Sequence, residues 1–182
     1  MTTRPVTILL AALALAACAG ATRSAATSTG DARADAELAR LRSATRAYQA
    51  LDSAVAAGYP RTVADCLVHA HHGAMGYHHV NRAYLSPTLD ITRPQILLYE
   101  RTADGAYRLN GVEFIIPYRM YPRDSVPPVW MGQTMHREDN LGIWYLHVWA
   151  WKDNPDGVFA NFNSTVSCPG GGKVYTPFTR DG

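Results

Sequence analysis

A β-hairpin signature at residues 95–118 constrains the fold of this chain more than any other feature. Two runs rich in aliphatic and aromatic side chains, QILLYER (95–101) and YRLNGVEFIIPY (107–118), flank the short segment TADGA. The Asp104-Gly105 pair in that segment is a strong turn signal, because these residues tolerate the backbone angles of tight hairpin turns. The pattern therefore predicts two adjacent antiparallel strands.

A third strand and one helix complete the predicted architecture. Residues 143–151 (IWYLHVWAW) are apolar on both faces, which is typical of a central strand. Residues 35–57 are predicted to form an amphipathic helix ended by Gly58 and Pro60. Its apolar positions recur every three or four residues: Leu38, Leu41, Ala44, Tyr48, Leu51 and Val55. The fold class is α+β, with this N-terminal helix packed on a mostly antiparallel sheet that could curl towards a barrel.

The N-terminus has the pattern of an export signal. Arg4 precedes an apolar run from Val6 to Ala17, which has the length of a signal-peptide core and is too short for a mature membrane span. Small residues before Cys18 resemble the bacterial lipobox, which implies removal of residues 1–17 and diacylation of Cys18. Ala19 after that cysteine favours the outer membrane. We therefore expect a lipid anchor in the cell envelope, with the protein facing the periplasm.

The remaining chain is predicted to form one domain behind a tether. Residues 18–34 are rich in Ala, Ser, Thr and Gly, which is typical of a flexible linker. Residues 35–182 then form a single globular domain. A formal net charge of +2 without a basic stripe argues against nucleic acid as a partner. The membrane, through the lipid, is the expected partner.

Two cysteines remain once Cys18 is assigned to the lipid. In an oxidising compartment, Cys66 and Cys168 are predicted to form a disulfide. The loop it closes, about 100 residues, would contribute roughly 4–5 kcal/mol by chain-entropy reasoning. The alternative is that both are metal thiolates, which their separation and the absence of a CxxC pair disfavour.

Two ionisable residues occupy positions where apolar side chains are expected. Glu113 lies within VEFII and His147 within YLHVW. Burial of either group costs several kcal/mol unless the group is paired, protonated or bound to metal. By the two-residue period of a strand, His147 shares its face with Tyr145, Trp149 and Trp151. Satisfied pairs within the core remain an alternative for both residues.

A histidine tract adds candidate ligands. Five of the seven histidines lie within residues 69–79, in HAHHGAMGYHHVN (69–81). Gly73 and Gly76 suggest a turn that could fold His69 or His71 back towards His78. Two imidazoles from such a turn, joined by a carboxylate and a distant histidine, would suit Zn²⁺, Cu²⁺ or Fe²⁺. The sequence also offers three thioethers, which would suit Cu(I): Met75, Met131 and Met135. These methionines could equally be packing residues.

Several segments resemble an uncharacterised family of exported bacterial proteins. The segments are GAMGYHHVN (73–81), PQILLYE (94–100), GVEFIIP (111–117) and LHVWAWKDNPDGVFANFNSTVSC (146–168). The resemblance implies positions rather than a reaction: Cys66, His78, Asn81, Glu100, Glu113, His147, Asn154 and Cys168. Tyr77 and His79 depart from the family pattern, and His69 to His72 lie outside it.

These observations predict an exported lipoprotein with a metal site. The expected ligands are His78, Glu113 and His147, with Glu100 as a fourth ligand or a neighbour of the site. His69, His71 and Met75 are auxiliary candidates, and copper ranks before zinc. Two alternatives stay open. One is a metal-free pocket for a small apolar ligand or lipid, with Glu113 as a buried general base; the other is a structural envelope module.

Overall fold

A computed structural model describes residues 28–60 and 65–175. The predicted signal peptide and the lipidated Cys18 lie outside these residues. The described residues contain two α-helices, α1 (Ala32–Thr45) and α2 (Leu51–Ala56). The strands are β1 (Leu67–His69), β2 (Gly73–Val80), β3 (Ile96–Arg101), β4 (Tyr107–Pro117), β5 (Val129–Trp130), β6 (Gln133–Thr134), β7 (His136–Glu138), β8 (Ile143–Val148) and β9 (Lys173–Val174).

The helical segment is interrupted where the sequence predicts one continuous helix. Helix α1 begins after Asp31, whose side chain accepts hydrogen bonds from the backbone N–H groups of Arg33 and Ala34. A 3₁₀ turn, Arg46–Gln49, follows, and α2 starts after an extended Ala50. The hydroxyl of Tyr99, on β3, donates to the Tyr48 carbonyl at 2.5 Å. This tertiary bond takes the acceptor that a continuing helix would use.

The main sheet has seven strands in the order β7-β8-β4-β3-β2-β1-β9. Every neighbouring pair is antiparallel except β1 with β9. The sheet curls into a half-barrel. The predicted hairpin is present as β3 and β4, and the predicted third strand is β8, which lies between β7 and β4. The α+β class and the mostly antiparallel sheet are confirmed.

The two faces of the sheet have separate apolar clusters. On one face, Leu38 and Leu41 of α1 pack in a cluster that includes Leu97, Phe114 and Leu146 of the strands. The opposite face carries a smaller cluster, which includes Ala74, Ile96, Leu98, Ile115, Tyr145 and Trp149. Because strand residues alternate between faces, this second face also receives His78, Glu113 and His147.

Trp151 packs on the face of the sheet that the helices cover. The sequence pattern instead predicts that it shares a face with His147. Strand β8 ends at Val148, and the N–H of Ala150 bonds back to the Val148 carbonyl. This tight turn breaks the two-residue alternation. The indole N–H of Trp151 donates to Thr45 of α1 at 3.0 Å.

Residues 121–140 contain three short strands where the sequence indicates one long loop. Strands β5 and β6 pair with each other, and β7 adds to the edge of the main sheet beside β8. The strands are too short to show a hydrophobic period. Strand β7 matters for the site, because it ends in the buried Glu138.

The predicted disulfide between Cys66 and Cys168 is confirmed. The Cα atoms are 5.8 Å apart, and the bridge spans 102 residues of sequence. It joins the start of β1 to the segment before β9, beside the only parallel pair of the main sheet in the described chain. No helix within residues 28–60 and 65–175 has the length and apolar character needed to cross a bilayer.

Candidate metal centre

Glu113 and His147 lie directly opposite each other on β4 and β8. Both side chains are almost fully buried, with side-chain exposures of 7% and 1%. Oε2 of Glu113 is 3.7 Å from Nε2 of His147. The pairing of β4 with β8 therefore brings the two buried ionisable groups together.

His78 reaches the same carboxylate oxygen from β2, two strands away. Its Nε2 is 3.7 Å from Oε2 of Glu113, and its side chain is 16% exposed. Neighbouring strands are about 4.8 Å apart, so a flat sheet would separate β2 from β4 by about 10 Å. The curl of the sheet and the reach of the imidazole close that gap. One possible ligand atom from each of the three residues lies within 4.8 Å of the others.

Burial shifts the pKa values of all three groups towards their neutral forms. The pKa of Glu113 rises to about 8, because the carboxyl is desolvated and the charge of Glu138 is close. Desolvation lowers the pKa of His78 to about 4, although a hydrogen bond with the Gly76 backbone opposes the shift. The pKa of His147 lies well below its ordinary value for the same reason, with the charge of His78 adding to it.

His147 has two buried nitrogens without a hydrogen-bond partner among the described residues. An unpaired buried polar atom costs about 1–3 kcal/mol, and a bound water or ion is one way to satisfy it. The ring is held by its neighbours along β8, with centroids 5.4 Å from Tyr145 and 6.3 Å from Trp149. Packing, rather than a hydrogen bond, thus orients the imidazole towards Glu113.

The three possible ligand atoms, which lie within 4.8 Å of one another, are close to the spacing that a small metal ion requires. Zinc binds imidazole nitrogen and carboxylate oxygen at about 2.1 Å, which separates tetrahedral ligands by about 3.4 Å. The two contacts of 3.7 Å need only a small closure to reach that value. His78, Glu113 and His147 could therefore hold a metal ion. Three protein ligands would leave coordination positions open for water or another molecule.

The three groups line a cavity of about 470 Å³, which we call the central cavity. Its walls are largely apolar and include Leu67, Met75, Val80, Ile96 and Ile143. Cavities of this size and lining are typical of small-molecule sites. A ligand in the central cavity could therefore contact His78, Glu113 and His147, or a metal ion that they hold.

Glu138 and Tyr175 are among the residues of this cavity that sequence reasoning missed. Glu138 ends β7 and is 7% exposed. Its carboxylate accepts hydrogen bonds from the Tyr175 hydroxyl and from the N–H of Asn140. Desolvation raises the pKa of Tyr175 and of Tyr145, and the charge of Glu138 adds to both shifts. Neither residue had a sequence signal, since β7 is short and Tyr175 lies in a turn-rich segment.

Glu100 is not brought to this group. Lys152 donates to both of its carboxylate oxygens at 2.7 and 2.8 Å, and Arg108 is 3.8 Å away. Glu100 lies opposite Arg108 on β4, five residues from Glu113 and so about 16 Å along the strand. Glu100 and Glu113 therefore lie on neighbouring strands but have different partners and different environments.

The auxiliary histidines lie at the far end of β2. The reversal of the chain occurs at residues 70–72, and both Gly73 and Gly76 lie within β2, so the predicted turn is displaced. His69 is opposite Gly73, five residues from His78, and its ring lies against His72 and Phe162. These rings therefore form a separate, more exposed group.

The methionines divide between the two faces of the sheet. Met75 is 4% exposed and lines the central cavity. Met131 and Met135 belong to the apolar cluster on the helix face. Of the three predicted thioethers, only that of Met75 is near the candidate ligands.

Comparison with known proteins identifies no relative of this chain. No family model, no curated protein and no solved structure matches it. The geometry of the site therefore carries the functional argument.

Proposed function

We propose that this protein is an exported, lipid-anchored metal-binding protein of the bacterial cell envelope. In this proposal, His78, Glu113 and His147 hold one zinc or copper ion. The carrying observation is the convergence of three buried donors, with both contacts to Glu113 Oε2 at 3.7 Å and both His147 nitrogens without hydrogen-bond partners in the described chain.

Comparison with Glu100 supports a metal over a satisfied polar network. Glu100 is also buried, and Lys152 and Arg108 neutralise it. Glu113 has no arginine or lysine within ion-pair distance in residues 28–60 and 65–175, and its nearest basic groups are two imidazoles. In the metal-free protein the raised pKa of Glu113 keeps its carboxyl largely neutral, and a divalent cation would stabilise the carboxylate form with the two imidazoles as further ligands.

The donor set favours borderline metals. Two imidazole nitrogens and one carboxylate oxygen suit zinc, and imidazole also suits copper. The case for Cu(I) is weaker than the sequence suggested, because Met135 packs on the helix face and only Met75 lines the cavity. We therefore place zinc and divalent copper ahead of Cu(I).

The proposed address depends on the lipobox-like sequence around Cys18 and is supported by the Cys66–Cys168 disulfide. Disulfides persist in oxidising compartments such as the periplasm. The resemblance of residues 73–81 and 146–168 to an exported bacterial family is part of the same proposal.

Elemental analysis of tag-free protein tests the metal site. After incubation with zinc or copper and gel filtration, we expect about one ion per wild-type chain and less than a tenth of that in His147→Ala and Glu113→Gln. His71→Ala and Glu100→Gln are matched controls and should retain the full ion. Metal content that is sub-stoichiometric in wild type, or unchanged in His147→Ala, would overturn the proposal.

A further inference from the structure

A second cavity adjoins the central cavity and has a different chemical character. It has a volume of about 340 Å³ and shares Val80, Arg82, Leu141 and Ile143 with the central cavity. Its remaining lining includes Leu85, Ile115, Pro117 and Arg119. We call it the arginine cavity, because Arg82 and Arg119 are its only ionisable lining residues among the described residues.

The buried carboxyl groups, Glu113 and Glu138, line only the central cavity, whereas Arg82 lies where the two cavities meet and Arg119 lines only the arginine cavity. Arg82 and Arg119 are exposed, and neither guanidinium has an ion-pair partner within the described part of the chain. An anionic group would therefore be favoured at the arginine end and disfavoured beside the two carboxyl groups.

Apart from Arg82, the residues that the two cavities share are apolar. Leu141 lines both cavities and is 72% exposed, which makes it one of four large hydrophobic residues exposed in the described chain. Val80 and Ile143 continue the same apolar surface from β2 and β8. An exposed apolar residue at a shared rim is a feature of ligand-binding grooves.

We propose that the two cavities together bind an amphiphilic anion, a linear apolar chain with one anionic head. The chain lies in the central cavity, and the carboxylate or phosphate head contacts Arg82 and Arg119. Arginine presents paired N–H donors that match both heads. The proposed binding does not require the metal, although the chain would pass in front of the open face of the centre.

Calorimetric titration of the full chain tests this arrangement with simple probes below their micelle concentrations. We expect dodecanoate and dodecyl phosphate to bind and dodecyltrimethylammonium to bind at least tenfold more weakly. The ratio between the two anions distinguishes a fatty-acid head from a phosphate head. Decanoate should bind about fifteenfold more weakly than dodecanoate, because each buried CH₂ contributes about fourfold in affinity.

The Arg82→Gln/Arg119→Gln double variant should weaken dodecanoate binding at least tenfold and leave dodecanol binding unchanged. Arg40→Gln/Arg46→Gln removes the same charge from exposed positions in the helical segment and should leave both unchanged. Equal binding of anionic and cationic probes, no binding of any probe, or no effect of the double variant would overturn the proposal.

The same titrations are made with zinc-loaded and chelated protein. Binding that persists after chelation supports a head held by arginine. Dodecanoate binding that disappears on chelation and ignores the double variant would place the carboxylate on the metal. That result would overturn the proposed amphiphile site and support the metal site. A zinc content of zero with intact dodecanoate binding would overturn the metal site and support the amphiphile site.

Discussion

Oε2 of Glu113 lies 3.7 Å from Nε2 of His147, across directly paired positions of β4 and β8, with no lysine or arginine in ion-pair distance of the carboxylate among the described residues. The same oxygen is 3.7 Å from Nε2 of His78. Without a cation, burial of the Glu113 carboxylate is unfavourable, and a bound cation would stabilise it.

The stability of the metal-free protein should fall as pH rises from 7.5 to 8.5. In this window unfolded Glu113 has lost its proton, whereas much of the folded protein retains it because the folded pKa is about 8. The folded state therefore binds more protons, and the free energy of unfolding falls by up to about 1 kcal/mol per pH unit. The depressed pKa values of His78, His79, His136 and His147 give the opposite slope near pH 6.5, where the unfolded histidines lose their protons, and this contribution is small above pH 7.5. Urea unfolding in chelator measures the slope.

Zinc should reverse this dependence. The ion displaces the retained proton, so its affinity should rise about tenfold per pH unit between 6.5 and 8. The stabilisation by zinc, about 4 kcal/mol at a thousandfold excess over Kd, should therefore be reached at lower zinc concentrations at pH 8. A zinc affinity independent of pH in this range contradicts the assigned role of Glu113.

Glu113→Gln and Glu100→Gln should have opposite effects on metal-free protein at pH 8. Glu113→Gln removes a buried carboxyl with an unfavourable charge and should raise the free energy of unfolding by about 1–4 kcal/mol. Glu100→Gln leaves Lys152 without its carboxylate and should lower it by about 1–3 kcal/mol. At pH 5 the first gain should nearly vanish. Destabilisation by Glu113→Gln at both pH values would identify Glu113 as a structural residue.

Replacement of Cys66 and Cys168 by serine should lower the free energy of unfolding by about 4–5 kcal/mol. The bridge spans 102 residues, and the loss of loop-closure entropy in the unfolded chain grows with loop length. Reduction of the wild type should give a similar change. Equal urea midpoints for oxidised and reduced wild type would contradict this.

Gly76→Ala should destabilise the protein far more than Gly132→Ala. Both glycines have positive φ, +85° and +74°. A Cβ at Gly76 would lie 2.4 Å from the Tyr99 carbonyl oxygen, whereas nothing lies within 4 Å of one at Gly132. We expect losses of about 2–4 kcal/mol and about 1 kcal/mol, measured by thermal unfolding. Because Gly76 is two residues before His78, zinc content should also fall in Gly76→Ala only.

Cys18→Ala should release the protein from the membrane fraction. In the proposed lipoprotein, Cys18 is the first residue of the mature chain and carries the diacyl group. Mass spectrometry of the wild-type N-terminal peptide should show the lipid and the absence of residues 1–17. An unmodified Cys18 in the mature protein would remove the anchor from the proposal.

Local patterns predicted the parts of this fold that depend on neighbours in sequence. The Asp104-Gly105 turn signal and the flanking apolar runs gave the β3–β4 hairpin, and the apolar run at 143–151 gave β8. Periodicity failed at two places. The Tyr99 hydroxyl bonds to the Tyr48 carbonyl where the helix is interrupted, and a tight backbone turn after Val148 moves Trp151 to the other face of the sheet.

The sequence by itself determined which polar groups are costly to bury, because Glu113 and His147 lie inside apolar strands and strand period sets their faces. Only the tertiary structure decided which of them meet. Strand order and curl bring His78 to Glu113 across an intervening strand, while Lys152 pairs with Glu100 from 52 residues away. It also adds Glu138 through an edge strand too short to recognise. Such contacts depend on the path of the whole chain, which no local spacing encodes.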